Sequence, residues 1–334
     1  MRTRRIVATA AATVVAISTL GYSVASAVVY DKLSKVSGDC PPAWESNDPT
    51  RFEVLASEGG PVKGHEGFDT TPYRMPAPET ATIPSRDAGI QVSGWYIPAD
   101  TANAPTVILV HGLTACKRDH AVLLPAGMLH RHGFSVLLID LRDHGDSTLE
   151  DGRYAGGTEE YRDVLGAWDW LQKEKHVPAD RIGLVGISLG AATVLIATGH
   201  EPHVAATWED SSYADLPSMI RDELTRSGYP TFLESGAGVV AKLMSGDDIT
   251  SYSPLDGVKQ LAGRPLFVTH GDQDQRINVR YGHDLVAAAE KAGSTPGSWF
   301  VEGSGHTRAM VDHPAEYERR LVDFFTETIG SVPD

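Results

Sequence analysis

From residue 106 onward the chain alternates short, wholly apolar runs with longer amphipathic stretches. Thr106–Val110, Val136–Ile139, Ile182–Ile187, Val204–Trp208, Arg264–His270 and Ser298–Val301 are rich in Val, Ile and Leu, as strands buried on both faces should be. Between them, Glu159–Lys173 carries Tyr161, Val164, Leu165, Trp168 and Leu171 at helical spacing, which predicts a helix packed by one face. Ala191–Thr198 reads as an alanine-rich helix and Val311–Ile329 as a C-terminal one. Strand and helix in regular turn predict an α/β fold with a mainly parallel, doubly wound sheet. The alternation breaks between Ser211 and Ser253. There Asp215–Thr225 and Gly236–Met244 predict two short helices around Ser227-Gly228-Tyr229-Pro230. This insertion, residues 212–250, fits a short helical lid or an ordinary crossover equally well. A lid of that size leaves a pocket open.

The N-terminus has a different texture. Met1-Arg2-Thr3-Arg4-Arg5 is basic, and the 25 residues from Ile6 to Tyr30 carry no charge. A bilayer needs about 20 apolar residues to be crossed as a helix. Residues 1–30 therefore read as a retained single-pass anchor, with Tyr30 near the interface. The alternative is a signal peptide cut after Ala25-Ser26-Ala27, giving a secreted protein. Either way the positive charges stay inside and residues 31–334 lie outside the cytoplasm. Residues 31–85, with Pro41, Pro42, Pro49, Pro72, Pro76 and Pro78, read as an extended tether, and 86–330 as the catalytic domain. The net charge of −15 argues against nucleic acid and anionic membrane surfaces as partners, so membrane contact is expected only through the N-terminal segment. Two cysteines, Cys40 and Cys116, make no disulfide framework, though they could pair outside the cytoplasm. The histidines follow no metal-ligand spacing, and no metal or cofactor is expected.

Chemistry concentrates where strands end. Gly186-Ile187-Ser188-Leu189-Gly190 is a G-x-S-x-G sequence between an apolar strand and an alanine-rich helix. That context places a serine hydroxyl above the sheet on a sharp turn that glycine neighbours permit. A serine needs a base, and the base an orienting acid. The strand 264–270 runs into Gly271-Asp272-Gln273-Asp274, and Ser298–Val301 into Gly303-Ser304-Gly305-His306, which gives the chain order Ser, Asp, His. His306 is the expected base. Asp272 and Asp274 would share a face in extended backbone, so periodicity does not choose between them. Asp210, after the preceding strand, is a third candidate. The strand 106–110 ends in His111-Gly112-Leu113-Thr114. The backbone N–H groups of Leu113 and Leu189 are therefore the candidate oxyanion donors. His111 fits a loop-bracing role better than that of a base, and Cys116 lacks the elbow context of Ser188.

Together these pieces resemble the α/β-hydrolase family over roughly residues 86–330. Asp140-Leu141-Arg142-Asp143-His144-Gly145-Asp146-Ser147 is similar to the D-x-R-G-H-G-x-S loop of bacterial serine hydrolases, with Asp143 in place of the usual glycine. The stretch Pro84–Pro98 is similar to the opening hairpin of membrane-anchored or exported bacterial members. The resemblance implies an α/β-hydrolase fold and a carboxylesterase-like activity on a small-molecule acyl ester, without a cofactor. It also implies that the acid is Asp274. A peptidase, an amidase or an acyltransferase would use the same groups. A non-catalytic anchored binding protein should have lost one of Ser188, Asp274 and His306, and all three are present.

Overall fold

The computed structural model describes residues 2–54, 67–244, 246 and 248–330. After a long N-terminal helix, α1 (Arg2–Ser34), the chain builds one eight-stranded sheet. Strands β1 (Glu79–Pro84) and β2 (Gln91–Ile97) form an antiparallel hairpin, and β2 runs antiparallel to β4 (Ser135–Ile139). The rest is parallel: β3 (Thr106–Val110), β5 (Ile182–Ile187), β6 (Ala206–Asp210), β7 (Leu266–Gly271) and β8 (Gly297–Val301). The spatial order is β1-β2-β4-β3-β5-β6-β7-β8. From β3 the chain crosses to β4 on one side and then returns to β5 on the other. The crevice beyond the carboxyl ends of β3 and β5 is therefore the switch point where such sheets hold their sites. The doubly wound, mainly parallel sheet is the one the alternating pattern predicts, and the whole is the α/β-hydrolase fold that the resemblance implies.

Alternating side chains divide the core. Val107, Leu109, Val136, Leu138, Val185 and Ile187 point to one face, where α2 (His120–His130) and α10 (Pro314–Ile329) cover them with Leu124, Met128, Leu321 and Phe325. Ile108, Val110, Leu137, Ile139 and Leu184 point to the other, under α3 (Tyr161–Glu174) and α4 (Leu189–His200). Each such side chain contributes about 1.5–3 kcal/mol by leaving water. Helices α7 (Pro254–Lys259) and α8 (Arg280–Lys291) continue that second layer, and α9 (Ala309–Asp312) precedes α10.

Three details differ from the pattern. Glu79–Pro84 lies in the segment read as tether yet forms the edge strand β1, because Ala81 and Ile83 alternate inward between exposed threonines. Small residues and a proline hide that period. The expected helix 311–329 is broken at His313, since a residue before proline is pushed out of helical geometry. Strand β6 runs two residues past Trp208, to Asp210.

The break between Ser211 and Ser253 is filled by two helices. Helix α5 (Leu216–Arg226) is capped by the Asp215 side chain, which accepts the Ser218 N–H, and α6 (Leu233–Met244) follows. The last turns of α1 lie against them, with Val29 and Tyr30 buried beside Ile220, Leu224, Leu233 and Ala237. Val14, Val15, Ile17 and Leu20 remain exposed. Past α1, Trp44 and Phe52 are buried, and Cys40 is bonded to Cys116, with Cα atoms 5.5 Å apart. The described part of residues 31–85 thus lies along the domain.

Candidate active site

Ser188 stands between β5 and α4 with φ +55° and ψ −111°, a backbone region costly for any residue with a side chain. Its neighbours explain how the turn closes. A Cβ on Gly186 would lie 2.3 Å from the Gly190 carbonyl oxygen, and one on Gly190 would lie 2.3 Å from that of Val110. Only glycine fits either position. The Ser188 N–H is held by the Asp210 carbonyl at 2.8 Å, which ties the elbow to the end of β6.

The structure brings three of the expected residues into one row. Ser188 Oγ lies 2.8 Å from His306 Nε2, and His306 Nδ1 lies 2.7 Å from Asp274 Oδ2. The Asp274 carboxylate is enclosed. Its Oδ1 accepts the N–H groups of Arg276 and Ile277, each at 2.8 Å, and His270 Nε2 stands 3.4 Å from Oδ2. Burial alone would raise its pKa, but the bonds from His270 and His306 win and hold the carboxyl well below the usual carboxylate range. Asp272 is not in the row: its carboxylate accepts the Gly303 N–H at 2.8 Å. Asp210 lies behind it, buried, accepting the Ser211 hydroxyl at 2.8 Å, and burial pushes its carboxyl up to about 6. Such a row can carry a proton from an attacking hydroxyl to an imidazole whose charge a fixed carboxylate offsets.

The two candidate amide donors flank the serine. Gly112, beside Leu113, packs so closely that a Cβ there would lie 3.3 Å from Ser188 Cβ. The Leu189 N–H heads α4, where the first amides have no intrahelical acceptor. His111 braces this loop: Nε2 accepts the Leu141 N–H at 3.1 Å, and Nδ1 lies 2.7 Å from the Gly112 carbonyl. Burial, with His144 alongside, holds its pKa down at about 3, so it stays neutral.

Asp143 resolves the departure in the D-x-R-x-H-G-x-S loop. It takes the left-handed conformation a glycine would, at φ +59°, which aspartate tolerates better than most residues. Its Oδ1 then accepts the N–H groups of Glu150, Asp151 and Gly152 at 2.6, 3.2 and 2.9 Å. The substitution keeps the turn and adds a loop clamp.

Sequence reasoning missed the groups that stiffen the site. Lys117 is buried against Asp140 and also reaches Asp146 at 2.7 Å and Ser93 at 3.1 Å, fixing the loop after β3. Arg142 is buried against Asp163, with Asp87 at 2.7 Å. Asp140 and Arg142 stand in a recognisable motif, which could have flagged both. Nothing in the sequence marks His270. Among the described residues no cluster of His, Cys, Asp and Glu could hold a metal.

A cavity of about 200 Å³ lies between α1, α5 and the loop after β3; Tyr30, Leu113 and Ile220 line it together with Lys32, Lys35, Glu223 and Arg276, while Ser188, Asp274 and His306 do not. Its walls are mostly apolar.

The fold is that of the α/β-hydrolase class. The chain belongs to the prolyl oligopeptidase family, peptidase S9, whose sequence model matches residues 125–332, more than half of its length. A 31.7 kDa protein from the traX-finO intergenic region of Escherichia coli is 28% identical over 141 residues, 42% of this chain and 48% of that protein. The chain thus spans about half the length of that relative. The protein YfhR of Salmonella typhi is 25% identical over 274 residues, covering 76% of this chain and 83% of its own. An esterase of Pyrococcus furiosus has the same fold, with a TM-score of 0.64 at 21% identity over 84% of this chain and 100% of its own.

Proposed function

We propose that the protein hydrolyses carboxylic esters through an acyl-enzyme formed on Ser188. The observation that carries this reading is the row Ser188–His306–Asp274. As the Ser188 oxygen attacks the ester carbonyl, its proton passes to His306 Nε2. The imidazolium is stabilised by Asp274 through Nδ1. The amides of Leu113 and Leu189 take the charge that develops on the carbonyl oxygen. His306 then gives its proton to the departing alcohol. Water, deprotonated by the same imidazole, releases the acid and restores Ser188. Thioesters would meet the same machinery.

The family match favours one second reading, in which the leaving group is an amine and the enzyme is a peptidase. Fluorophosphonate labelling, followed by turnover of matched esters and aminoacyl amides, separates the two. We expect an adduct on Ser188 that is lost in Ser188→Ala. We also expect ester turnover to exceed amide turnover, peaking at short to medium acyl chains. A preference for aminoacyl amides would replace the ester reading with the peptidase one.

We also propose that α1 is a retained anchor with the catalytic domain outside the cytoplasm. Its 25 residues from Ile6 to Tyr30 carry no charge, and the helix is long and apolar enough to cross a bilayer. The packing of α1 on α6 begins at Tyr22, upstream of the Ala27 cleavage point, so cleavage would remove part of a built interface.

A further inference from the structure

A second histidine stands behind the residue that orients His306, and no step of the proposed reaction uses it. His270, near the end of β7, is fully buried, with Nε2 2.8 Å from the Ile277 carbonyl and 3.4 Å from Asp274 Oδ2. A carbonyl only accepts, so Nε2 carries the ring's proton. The positive edge of the imidazole thus faces the carboxylate that bonds to His306 Nδ1. Nδ1 of His270 is left as a lone pair. It is buried and has no hydrogen-bond partner among the described residues. Helix α8 covers it with Gly282, where an added Cβ would lie 3.1 Å from Nδ1.

The donor that this lone pair lacks stands one strand away. Glu209 pairs with Val268 in the β6–β7 register, and His270 follows Val268 by two residues. The side chains of Glu209 and His270 therefore leave the same face of the sheet as diagonal neighbours, within reach of each other. Glu209 is also fully buried. Its Oε2 accepts the Ser212 N–H at 2.9 Å, and Oε1 has no partner among the described residues. Burial pushes this carboxyl up to about 8, against the opposing pull of the His270 imidazole. At neutral pH it is a carboxylic acid with an O–H to donate. One face of the sheet thus holds a buried donor and a buried acceptor, each without its bond, an arrangement that a dry interior makes costly. Asp274 and His306 are the titratable groups ahead of the pair, and Asp210 with Tyr317 lies on the other side of β6. Over the pair, α4 brings Gly190 and Ala191 against Gly186, the register partner of Glu209, and Gly282 of α8 sits against Phe300 of β8. None of these titrates.

We propose that Glu209 and His270 share one proton through a bridging water, and that His270 is a positioning residue that carries the charge of this pair to Asp274 and so to His306. Glu209 Oε1–H donates to the water, and the water donates to His270 Nδ1. Moving the proton across leaves a carboxylate and an imidazolium, and the pair stays neutral as a whole. Losing the proton to solvent leaves one negative charge behind Asp274. That charge stabilises the imidazolium that forms on His306 as Ser188 gives up its proton. The proposal rests on the reading of Ser188 as the nucleophile, whether the leaving group is an alcohol or an amine.

The test follows fluorophosphonate labelling of Ser188 in the full chain from pH 6 to pH 9.5, with circular dichroism checking the fold at each pH. We expect the second-order labelling rate of the parent to rise about threefold or more as pH passes through about 8, where the pair gives up its proton. Glu209→Gln accepts the Ser212 N–H through its carbonyl and donates its amide to the same water, so it should show no rise there. His270→Gln keeps an N–H for the Ile277 carbonyl but removes the imidazole that offsets the Glu209 charge. Its rise should therefore move upward by about one pH unit. A purely structural role for His270 would lower rate or stability and leave the position of the rise alone. A parent profile flat through pH 8, the same rise in Glu209→Gln, or an unmoved rise in His270→Gln overturns the proposal. Absence of any Ser188 adduct in the parent overturns the nucleophile reading and this proposal with it. The expected rises together with faster turnover of aminoacyl amides than of esters support the pair and overturn only the ester reading.

Discussion

Glu209 makes the sheet beneath the site sensitive to alkali. It lies on β6, paired in register with Gly186, one residue before the carbonyl that holds the Ser188 N–H. Its side chain is fully buried. Oε2 accepts the Ser212 N–H at 2.9 Å, and Oε1 has no hydrogen-bond partner among the described residues. Burial pushes its carboxyl up to about 8, against an ordinary value of 4.5. Between those values the native state binds more protons than the unfolded chain, so stability is fully present below pH 4.5 and is lost as pH rises through 8. From pH 6 to pH 9 the loss is roughly 2.7 kcal/mol, taking about 1.36 kcal/mol per pKa unit. At about 2.1 cal/mol/K per residue of unfolding entropy, this lowers Tm by about 4 °C. Asp210 and Glu160 act in the same direction but complete their titrations lower, near 6 and 7, so the slope close to pH 8 belongs mainly to Glu209. Glu209→Gln keeps the acceptor for Ser212 and removes the charge. Calorimetric melting across pH 6–9 should show a Tm decline about 4 °C larger in the parent than in the variant, whose remaining decline comes from Glu160 and Asp210, with the two within about 1 kcal/mol of each other at pH 6. Parallel declines would mean that the carboxyl is solvated in the folded protein and that the reasoning is wrong.

Other changes follow from the same contacts. Asp274→Asn should lower kcat by about 10⁴-fold by offering His306 the wrong hydrogen-bond partner, whereas Asp272→Asn should cost well under tenfold. Steady-state kinetics of the two variants decide this, and the reverse ranking would reassign the acid. Joint replacement of Cys40 and Cys116 by serine opens a link across 76 residues of sequence. In the chain-entropy model this costs up to about 4.5 kcal/mol, read as a lower denaturation midpoint. Asp143→Ala keeps a strained left-handed φ and removes the acceptor of three amides, so a loss of about 2–3 kcal/mol is expected by urea unfolding. Asp143→Gly should recover only the strain component.

The sheet was legible because buried parallel strands are apolar on both faces, and runs such as Ile182–Ile187 cannot be surface elements. The row of Ser188, Asp274 and His306 was visible for a related reason. Each residue follows the carboxyl end of a strand, where an open sheet gathers its loops. Periodicity could not separate Asp272 from Asp274. In the structure the difference lies in backbone amides, Gly303 for one and Arg276 and Ile277 for the other, and no sequence pattern encodes those. Edge strand β1 was hidden because alternation among Thr, Ala and Pro is too weak to stand out.

What the sequence could not express is that its two apparent extras are one object. Read along the chain, an apolar N-terminal segment and a break in the αβ alternation some two hundred residues later suggest an anchor and a small lid with separate tasks. In space Ser26 meets Gly236, and Tyr22 holds the carbonyl of Phe232. A hydrophobic profile sees Gly236 only as a weak helix former, although a larger side chain there would force the helices apart. The same blindness makes Phe232, Val239 and Leu243 look like ordinary helix residues, since the profile cannot tell an inward face from an outward one until a partner helix fixes the rotation. The N-terminal helix is then part of the packing of the insertion, and neither can be described without the other.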